Sequence, residues 1–498
     1  MINLTFSEEE IKKLVERAVT TSQEYIKSGR LLEAERILKQ ALRVDPECEP
    51  ALQILTELLM GQQKGSEAIS FYEKILELKP TDRVALNNIA LCYATTGQGD
   101  KSIETLDKLV DLYPNDPAAH SNLALQYKEM GDDILAQKSY QVGIQTIPDN
   151  PDIRFNYGVF LAERLKFQEA IEQYERAIAL RSDFFLAHFN LGLLNLLLGN
   201  YTAGWRGYEW RFGHDVFKNF KARFEGPEWH GESGHGKTIL VYNEQGAGDA
   251  VQFVRYLPEL KKKGFKVVFE AIYDLVDLMG QCEGVDQIIP QRPKDMPKYD
   301  YHVSIGSLPF KLGIYEPFYS GEYIKPTGAL GSQAFENYEK YVKVGICWAG
   351  NPVHRHDSQR SCMLKHFKHL NTIGTKLFGL QKDSRPRYWV GQGVVDLTEG
   401  CEDMGVVDMS DLLINFNYTA AIMKCMDSIV TVDTAVAHIA GAMGLPCYLL
   451  LSWLPDWRWG LTGDSTGWYD SVKLVRQTKA GDYESRLKQI AYEIRHKA

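Results

Sequence analysis

Residues 427–446 read DSIVTVDTAVAHIAGAMGLP, the pattern of a buried strand that runs directly into a helix. The β-branched run 428–432 is typical of a parallel sheet, and Asp433 and Thr434 are residue types that begin helices. The first amides of a helix and the positive end of its dipole attract anions, and His438 follows one turn later. The stretch predicts either an anion site or an ordinary capped helix of an α/β sheet.

The length, composition and net charge of the chain restrict the class of protein to which it can belong. Its 498 residues are 44% hydrophobic, enough for proper cores, and the length predicts about three domains. The net charge of −9 and the pI near 5.8 argue against a nucleic-acid-binding protein. Eight cysteines without a CxxC pair predict reduced thiols. With no signal-peptide core and no long apolar run, we expect a cytoplasmic protein without a transmembrane segment.

A period of 34 residues dominates the first two hundred residues, where prolines stand at 46, 80, 114 and 148. Two further columns keep the same period. The first holds small residues, which allow paired helices to cross closely: Ala34, Ala68, Ser102, Ala136, Ala170 and Gly204. The second holds large residues that we expect in the core: Leu38, Tyr72, Leu106, Tyr140, Tyr174 and Tyr208. The chain therefore resembles the tetratricopeptide-repeat family over residues 15–212, with five full repeats and a sixth that departs from the pattern at 205–211. We expect a right-handed superhelix.

A third column consists of asparagines that, in tetratricopeptide proteins, face the concave groove. Their amides offer a donor and an acceptor to an extended peptide backbone, although asparagine is also a common consensus residue at this position. The candidate groove residues are Asn88, Asn122, Asn156 and Asn190.

The helical period stops near His214, and glycine-rich residues 213–236 predict a linker. A βαβ unit follows, with strands at 238–242 and 266–270 around a helix at 250–263. Its first turn holds Gly246 and Gly248 but lacks the third glycine of a dinucleotide fingerprint, which makes NAD a weak candidate. Further strands are predicted at 285–289, 301–305, 342–348, 376–380, 428–432, 447–451 and 472–475. The pattern predicts two Rossmann-like domains, 237–328 and 329–498, that face a cleft.

Polar clusters follow several of these strands. The loop 348–361 carries His354, Arg355, His356 and Arg360, a basic set that suits a phosphate-bearing ligand, although a solvated loop is the alternative. There is no HExxH and no DxD motif, so we predict no metal site. Protein groups alone would then neutralise a departing nucleoside diphosphate.

The second half resembles the GT-B glycosyltransferases, specifically the heptosyltransferase-like group (glycosyltransferase family 9) fused behind tetratricopeptide repeats. The sequence segments that match this group follow one another in the same order as in the group. They lie at 245–258, 307–309, 344–352, 360–361, 380–382, 432–441 and 455–459. The resemblance implies an inverting, metal-independent transferase that uses a nucleotide-activated sugar and no cofactor. It also implies a set of donor-binding residues: Trp348, Asn351, Arg360, Gln381, Lys382, Asp433, Thr434, Ala435 and His438.

Asp249 stands where this family keeps its candidate general base, in the first loop of residues 237–328. Inversion requires the acceptor hydroxyl to lose a proton as it attacks, which a carboxylate can accept. The alternative role of Asp249 is to cap the helix that follows.

The layout is similar to the O-GlcNAc transferases, which implies that the repeat groove, residues 1–212, presents a protein or peptide acceptor. A glycan or lipid-carrier acceptor, or a non-catalytic scaffold that binds a nucleotide sugar, are the alternatives. The donor is expected to be UDP-, GDP- or ADP-linked, and its sugar is open. No nucleic-acid partner is expected.

Overall fold

The computed structural model describes residues 7–328, 332–352, 357–383, 386–390, 393–399, 401 and 404–497. The chain divides into two compact units, with most residues up to Ser182 in the first and most residues from Asp183 in the second. The predicted repeat domain, 1–212, therefore contributes to both units. In the described part of the chain, no helix combines the length and the apolar content that a membrane crossing needs.

Helices α1 to α12 follow one another as consecutive pairs. The small-residue column lies where paired helices cross, and Ala34, Ala68, Ala136 and Ala170 are completely buried. The column of large residues, which runs from Leu38 to Tyr208, is also buried, and this confirms its predicted place in the core. The helices are α1 Glu8–Lys27, α2 Leu31–Val44, α3 Glu49–Gly61, α4 Gly65–Leu78, α5 Arg83–Thr95, α6 Gly99–Leu112, α7 Pro117–Glu129, α8 Asp133–Thr146, α9 Pro151–Glu163, α10 Phe167–Leu180, α11 Phe185–Leu197 and α12 Tyr201–Tyr208.

The turn inside each helix pair adopts a left-handed backbone conformation. Glycine occupies this position in four of the six pairs, as Gly29, Gly97, Gly131 and Gly199, with φ between 76° and 83°. Gln63 and Leu165 take the same place in the other two pairs, with φ of 60° and 58°. Side chains other than glycine are strained in this region, so these two turns show that the repeat geometry overrides local preference.

The prediction that residues 213–236 form a linker is wrong, because this segment is folded against the first sheet of the second unit. It contains helix α13, Asp215–Lys221, and its Phe224 and Trp229 side chains are buried. The amide of Trp229 donates to the carbonyl oxygen of His302 over 2.9 Å. Glycines gave this segment the composition of a linker, whereas its aromatic residues anchor it to the sheet.

The first sheet has four parallel strands in the order β3-β2-β1-β4. The predicted helix 250–263 is divided into two helices by a short 3-10 turn, because Pro258 has no amide to continue the hydrogen-bond ladder. The strands are β1 Thr238–Tyr242, β2 Lys266–Ala271, β3 Gln287–Pro290 and β4 Tyr301–Ser304. The helices are α14 Ala247–Phe253, α15 Leu257–Lys262, α16 Val276–Met279 and α17 Leu308–Leu312.

The second sheet has six parallel strands in the order β12-β11-β10-β5-β6-β9, and β7 pairs separately with β8. The sequence did not predict β7, β8 or β9, which are short or lie outside the regular βα alternation. The strands are β5 Val342–Cys347, β6 Thr375–Gly379, β7 Arg387–Val390, β8 Gly393–Asp396, β9 Val407–Asp408, β10 Ser428–Val432, β11 Cys447–Leu450 and β12 Val472–Val475. The helices are α18 Asp357–Arg360, α19 Phe416–Met423, α20 Ala435–Ala442 and α21 Tyr483–Lys497.

Candidate functional site

The strand order of the second sheet reverses between β5 and β10. Strands β6 and β9 lie on one side of this point, and β11 and β12 lie on the other. Open α/β sheets bind ligands beyond the carboxyl ends of the strands at such a switch point. The segments that leave β5 and β10 here are the predicted basic loop and the stretch that begins at Asp433.

Helix α20 begins directly beyond β10. Thr434 is its N-cap, and the Thr434 hydroxyl accepts a hydrogen bond from the amide of Val436 over 3.3 Å. Ala435 is the first helical residue, so its amide lies before the first intrahelical hydrogen bond. The predicted strand-to-helix transition is thus present, with Thr434 rather than Asp433 as the cap.

The loop after β5 folds tightly around Gly350. A Cβ atom at this glycine would lie 2.2 Å from Asp357 Oδ1 and 2.6 Å from Arg360 Nη2, so only glycine fits. Arg360 Nε donates to Asp357 Oδ1 over 3.0 Å, and Ser361 Oγ donates to the other oxygen of Asp357 over 2.9 Å. Buried Asp357 therefore fixes the position of the Arg360 guanidinium.

The polar residues after β6 have separate roles. Gln381 is buried, and its Oε1 accepts from the amide of Ala349 over 3.1 Å, which ties the loop after β6 to the loop after β5. Lys382 is mostly exposed, and its Nζ lies 3.4 Å from Asp274 Oδ2. Trp348 is buried, and its indole N–H has no hydrogen-bond partner among the described residues. Gln381 is therefore structural in this conformation, whereas Trp348 retains an unused donor.

Four further predicted residues belong to the segment that follows β5 in the sequence. Asn351 is exposed. His354, Arg355 and His356 lie outside the described residues.

Asp433 lies among charged side chains. Burial and the neighbouring Asp456 carboxylate raise the pKa of Asp433 to about 6, whereas the Trp459 indole, Arg458 and Arg360 act in the opposite direction. Two guanidinium groups therefore lie close enough to Asp433 to influence its ionisation. Guanidinium groups next to a helix N-terminus are groups that bind phosphate, although carboxylates pair with both arginines in this structure.

His438 lies at the contact between the two sheets' helices. Its Nδ1 is 2.9 Å from the Tyr469 hydroxyl, and a Cβ atom on Gly248 would lie 2.8 Å from its Cδ2. Burial lowers the pKa of His438 well below its ordinary value, and Arg458, Arg255 and Arg360 lower it further. His438 is thus a neutral imidazole one turn into α20. Its ring packs against the glycine-rich turn that follows β1.

Asp249 joins the two halves of the second unit. Its Oδ2 accepts from the amide of Gly246 over 3.0 Å, so Asp249 caps α14 from within its first turn, as the third helical residue, rather than from the position before the helix as the alternative prediction stated. Its Oδ1 forms an ion pair with Arg458, which also bonds Asp456 Oδ1 over 2.8 Å and the side-chain oxygen of Gln252. Asp249 is therefore held at the site, with both oxygens engaged.

Arg458 belongs to this cluster, and the sequence did not single it out as a candidate site residue. It stands between Trp457 and Trp459 in the segment 455–459, within which the resemblance assigned no role to an individual residue. The guanidinium lies 4.3 Å from the Trp457 ring centroid and is nearly buried. A basic residue between two buried aromatic residues is the signal that identifies such a position, because its charge requires partners inside the fold.

The asparagine column contributes hydrogen bonds between consecutive repeats. Asn122 Nδ2 donates to Asn87 Oδ1 over 2.7 Å, and Asn156 Nδ2 donates to Ser121 Oγ over 3.2 Å. Asn88 Nδ2 donates to the Tyr72 hydroxyl over 3.2 Å. These residues and Asn190 are half-buried. The amide groups of Asn88, Asn122 and Asn156 thus have a structural role.

Comparison with known proteins identifies the repeats. Models of the tetratricopeptide repeat match residues 20–83, 59–125 and 161–199. Protein FlbA of Caulobacter vibrioides is 23% identical over 342 residues, which are 63% of this chain and 55% of FlbA. The match thus spans about half the length of that relative.

Solved structures with repeats are also similar. A tetratricopeptide repeat protein from Parabacteroides merdae is 19% identical with a TM-score of 0.34, over 43% of this chain and 82% of its own. A thermophilic tetratricopeptide repeat protein from Thermus thermophilus is 16% identical with a TM-score of 0.30, over 36% and 99%. YrrB, described as having an unusual peptide-binding site, is 19% identical with a TM-score of 0.29, over 36% and 95%. The matches to the repeat models show that the N-terminal region of this chain consists of tetratricopeptide repeats, and an α/β region with parallel sheets follows it.

Proposed function

We propose that the chain is an inverting glycosyltransferase that moves a sugar from a nucleotide-sugar donor to an acceptor hydroxyl. The observation that carries the proposal is the convergence of charged groups at the switch point of the second sheet. Arg360 and Arg458 lie near Asp433, beside the N-terminus of α20, and Asp249 reaches the same cluster from the first sheet. A diphosphate needs the cationic groups, and an acceptor hydroxyl needs the carboxylate.

In the proposed step, the acceptor oxygen forms a bond to the anomeric carbon as the bond between that carbon and the diphosphate oxygen breaks. The hydroxyl proton passes to Asp249, and the nucleoside diphosphate leaves with the electron pair. Arg360 and the first amides of α20 would stabilise the negative charge that develops on the leaving group. Because Arg458 bonds Asp249 Oδ1, we expect Arg458 to turn from Asp249 toward the diphosphate when the donor binds.

The tetratricopeptide repeats favour a protein or peptide as the acceptor. Repeat helices present extended surfaces that bind other polypeptides, and the half-buried asparagine column lies on them. A glycan or lipid-carrier acceptor is the alternative within the same reaction class.

One observation favours a non-catalytic scaffold as the second candidate function. Both oxygens of Asp249 have partners, so this carboxylate is structurally useful without any proton transfer. A scaffold of this kind would bind a nucleotide sugar without turnover.

The test is incubation of the full chain with UDP-, GDP- and ADP-sugars, with release of the nucleoside diphosphate as the readout. We expect one donor class to be hydrolysed or transferred, and Asp249→Asn to abolish the release while nucleotide binding persists. Asp286→Asn is the matched control, because Asp286 also pairs with a cation, Lys261, and with a backbone amide, that of Val267. Tight nucleotide binding without turnover for every donor would instead support the scaffold.

A further inference from the structure

The first sheet has its own switch point, between β1 and β4, and a buried charged cluster lies there. Strands β2 and β3 continue on one side of β1, whereas β4 lies on the other. Glu244 follows β1 by two residues, and Ser304 ends β4. Arg211 bonds both of them, with Nη2 at 3.0 Å from Glu244 Oε1 and 2.9 Å from Ser304 Oγ.

The arginine comes from the sixth repeat, at the point where the repeat pattern ends. Residues Glu209–Gly213 form a 3-10 turn after α12, and the Arg211 side chain is completely buried. Its Nη1 also donates to Glu209 Oε1 over 2.8 Å. The departure of residues 205–211 from the repeat consensus thus has a physical reason, because this segment supplies one side of a polar cluster in the α/β region.

The charges in this cluster do not balance. One guanidinium faces two carboxylates, those of Glu209 and Glu244, and only Glu209 is partly exposed. The side chain of Glu244 is completely buried, and its Oε2 has no hydrogen-bond partner among the described residues. Burial of an unpartnered carboxylate oxygen is costly, so such an oxygen marks a candidate position for the hydrogen-bond donor of a ligand.

A second unpartnered group lies on the same side of β1. The Tyr242 hydroxyl is buried and, within the described chain, also has no partner. Tyr242 pairs with Ser304 across β1 and β4, so these two side chains project from the same face, and Ser304 Oγ contacts the Arg211 guanidinium that bonds Glu244. Burial raises the pKa of Tyr242, and the Glu244 carboxylate is the first charged group that adds to this effect. Tyr242 is therefore a protonated hydroxyl that can donate a hydrogen bond.

We propose that Glu244 Oε2 and the Tyr242 hydroxyl bind a hydroxyl group of the acceptor. A hydroxyl accepts one hydrogen bond and donates another, which is the complement of a phenol and a carboxylate. The site lies at a sheet switch point, where α/β proteins bind ligands, and the last repeat contributes Arg211 to hold Glu244 in place. Glu244 and Tyr242 would thus recognise a hydroxyl group of the acceptor, a role that rests on the proposed transferase function.

The test measures binding of small hydroxyl compounds to the full chain by saturation-transfer NMR. The probes are N-acetylserinamide, N-acetylthreoninamide and methyl β-glucoside, which distinguish a peptide hydroxyl from a sugar hydroxyl. We expect at least one probe to bind, and Glu244→Gln to weaken it by roughly ten-fold or more, the worth of a hydrogen bond to a charged group. Tyr242→Phe should weaken the same probe.

Glu270→Gln is the matched control. Glu270 is also completely buried and paired with an arginine, Arg223, but both of its oxygens have partners. We expect Glu270→Gln to lower the melting temperature more than Glu244→Gln does and to leave probe binding unchanged. The inference is overturned if no probe binds the wild type, or if Glu244→Gln binds as well as the wild type does.

The same variant separates this inference from the proposed function. Nucleotide-induced stabilisation should be equal in the wild type and Glu244→Gln, because the donor residues lie on the second sheet. If no nucleotide binds but a hydroxyl probe binds through Glu244, the proposed donor chemistry fails while this site stands. If nucleotides bind and turn over but Glu244→Gln has no effect on probes, only this inference fails.

Discussion

Removal of the Arg458 guanidinium should destabilise the α/β region, and the loss should depend on Asp249. Arg458 connects the two halves of this region through Asp249, Asp456 and Gln252. Its side chain is only 9% exposed, whereas those of Asp249 and Asp456 are 21% and 35% exposed. Water therefore screens the carboxylates that Arg458→Met would leave behind.

These exposures set the expected magnitudes. Loss of one member of a buried ion pair costs about 3 to 5 kcal/mol, and we expect about 3 kcal/mol for Arg458→Met because of the screening. Asp249→Asn keeps the helix cap but loses a charge-assisted bond, for about 1 to 2 kcal/mol. In the double variant no unpaired charge remains at residue 249, so the total should be about 1 to 2 kcal/mol smaller than the sum.

Urea unfolding followed by tryptophan fluorescence measures these free energies. All nine tryptophans lie at or after Trp205, so the signal reports the second unit. Arg476→Met is the control for the cycle, because Arg476 bonds backbone carbonyls such as that of Gly463. Its combination with Asp249→Asn should be additive. Additivity within about 0.5 kcal/mol for the Arg458 cycle as well would refute the reasoning.

Three further perturbations have defined outcomes. Gln63→Gly should stabilise the repeats by about 1 kcal/mol by relieving the left-handed conformation, measured by urea unfolding with circular dichroism, whereas Gln62→Gly at φ −89° should not. The folded-state pKa of Asp433 is raised to about 6, so its folded form holds the proton more tightly and stability falls as pH rises from about 4 to 6. Asp433→Asn should lack this fall in unfolding experiments across that window, and equal slopes would exclude the assignment. Cys48 and Cys425, which are half-buried, should react with a thiol reagent before the buried cysteines, as mass spectrometry of the native protein can show.

The repeats and most strands could be predicted because their signals are local and periodic. A 34-residue period repeats over several columns, and buried parallel strands such as 428–432 form β-branched runs. The folded state of 213–236 was not predicted from composition, because its five glycines are typical of a linker, whereas buried aromatic side chains such as Phe224 and Trp229 decide its place.

The candidate site was predicted in part, for a related reason. Residues that follow a strand could be placed at one edge of a sheet, as Thr434 and Arg360 are. Pairings between distant segments carry no local pattern, so the bonds of Arg458 to Asp249 and of Arg211 to Glu244 became visible only in the fold. Buried arginines are informative in such cases, because each one requires a partner from elsewhere in the chain.

The central claim is that the switch point of the second sheet binds a nucleotide sugar, and thermal unfolding with nucleotides tests it most directly. A ligand at about 100 times its dissociation constant stabilises the folded state by about 2.7 kcal/mol. We predict that UDP, GDP or ADP, together with its sugar conjugates, raises the melting temperature, and that Arg360→Ala removes the increase. An unchanged melting temperature with all of these compounds, or an undiminished increase in Arg360→Ala, would contradict the account.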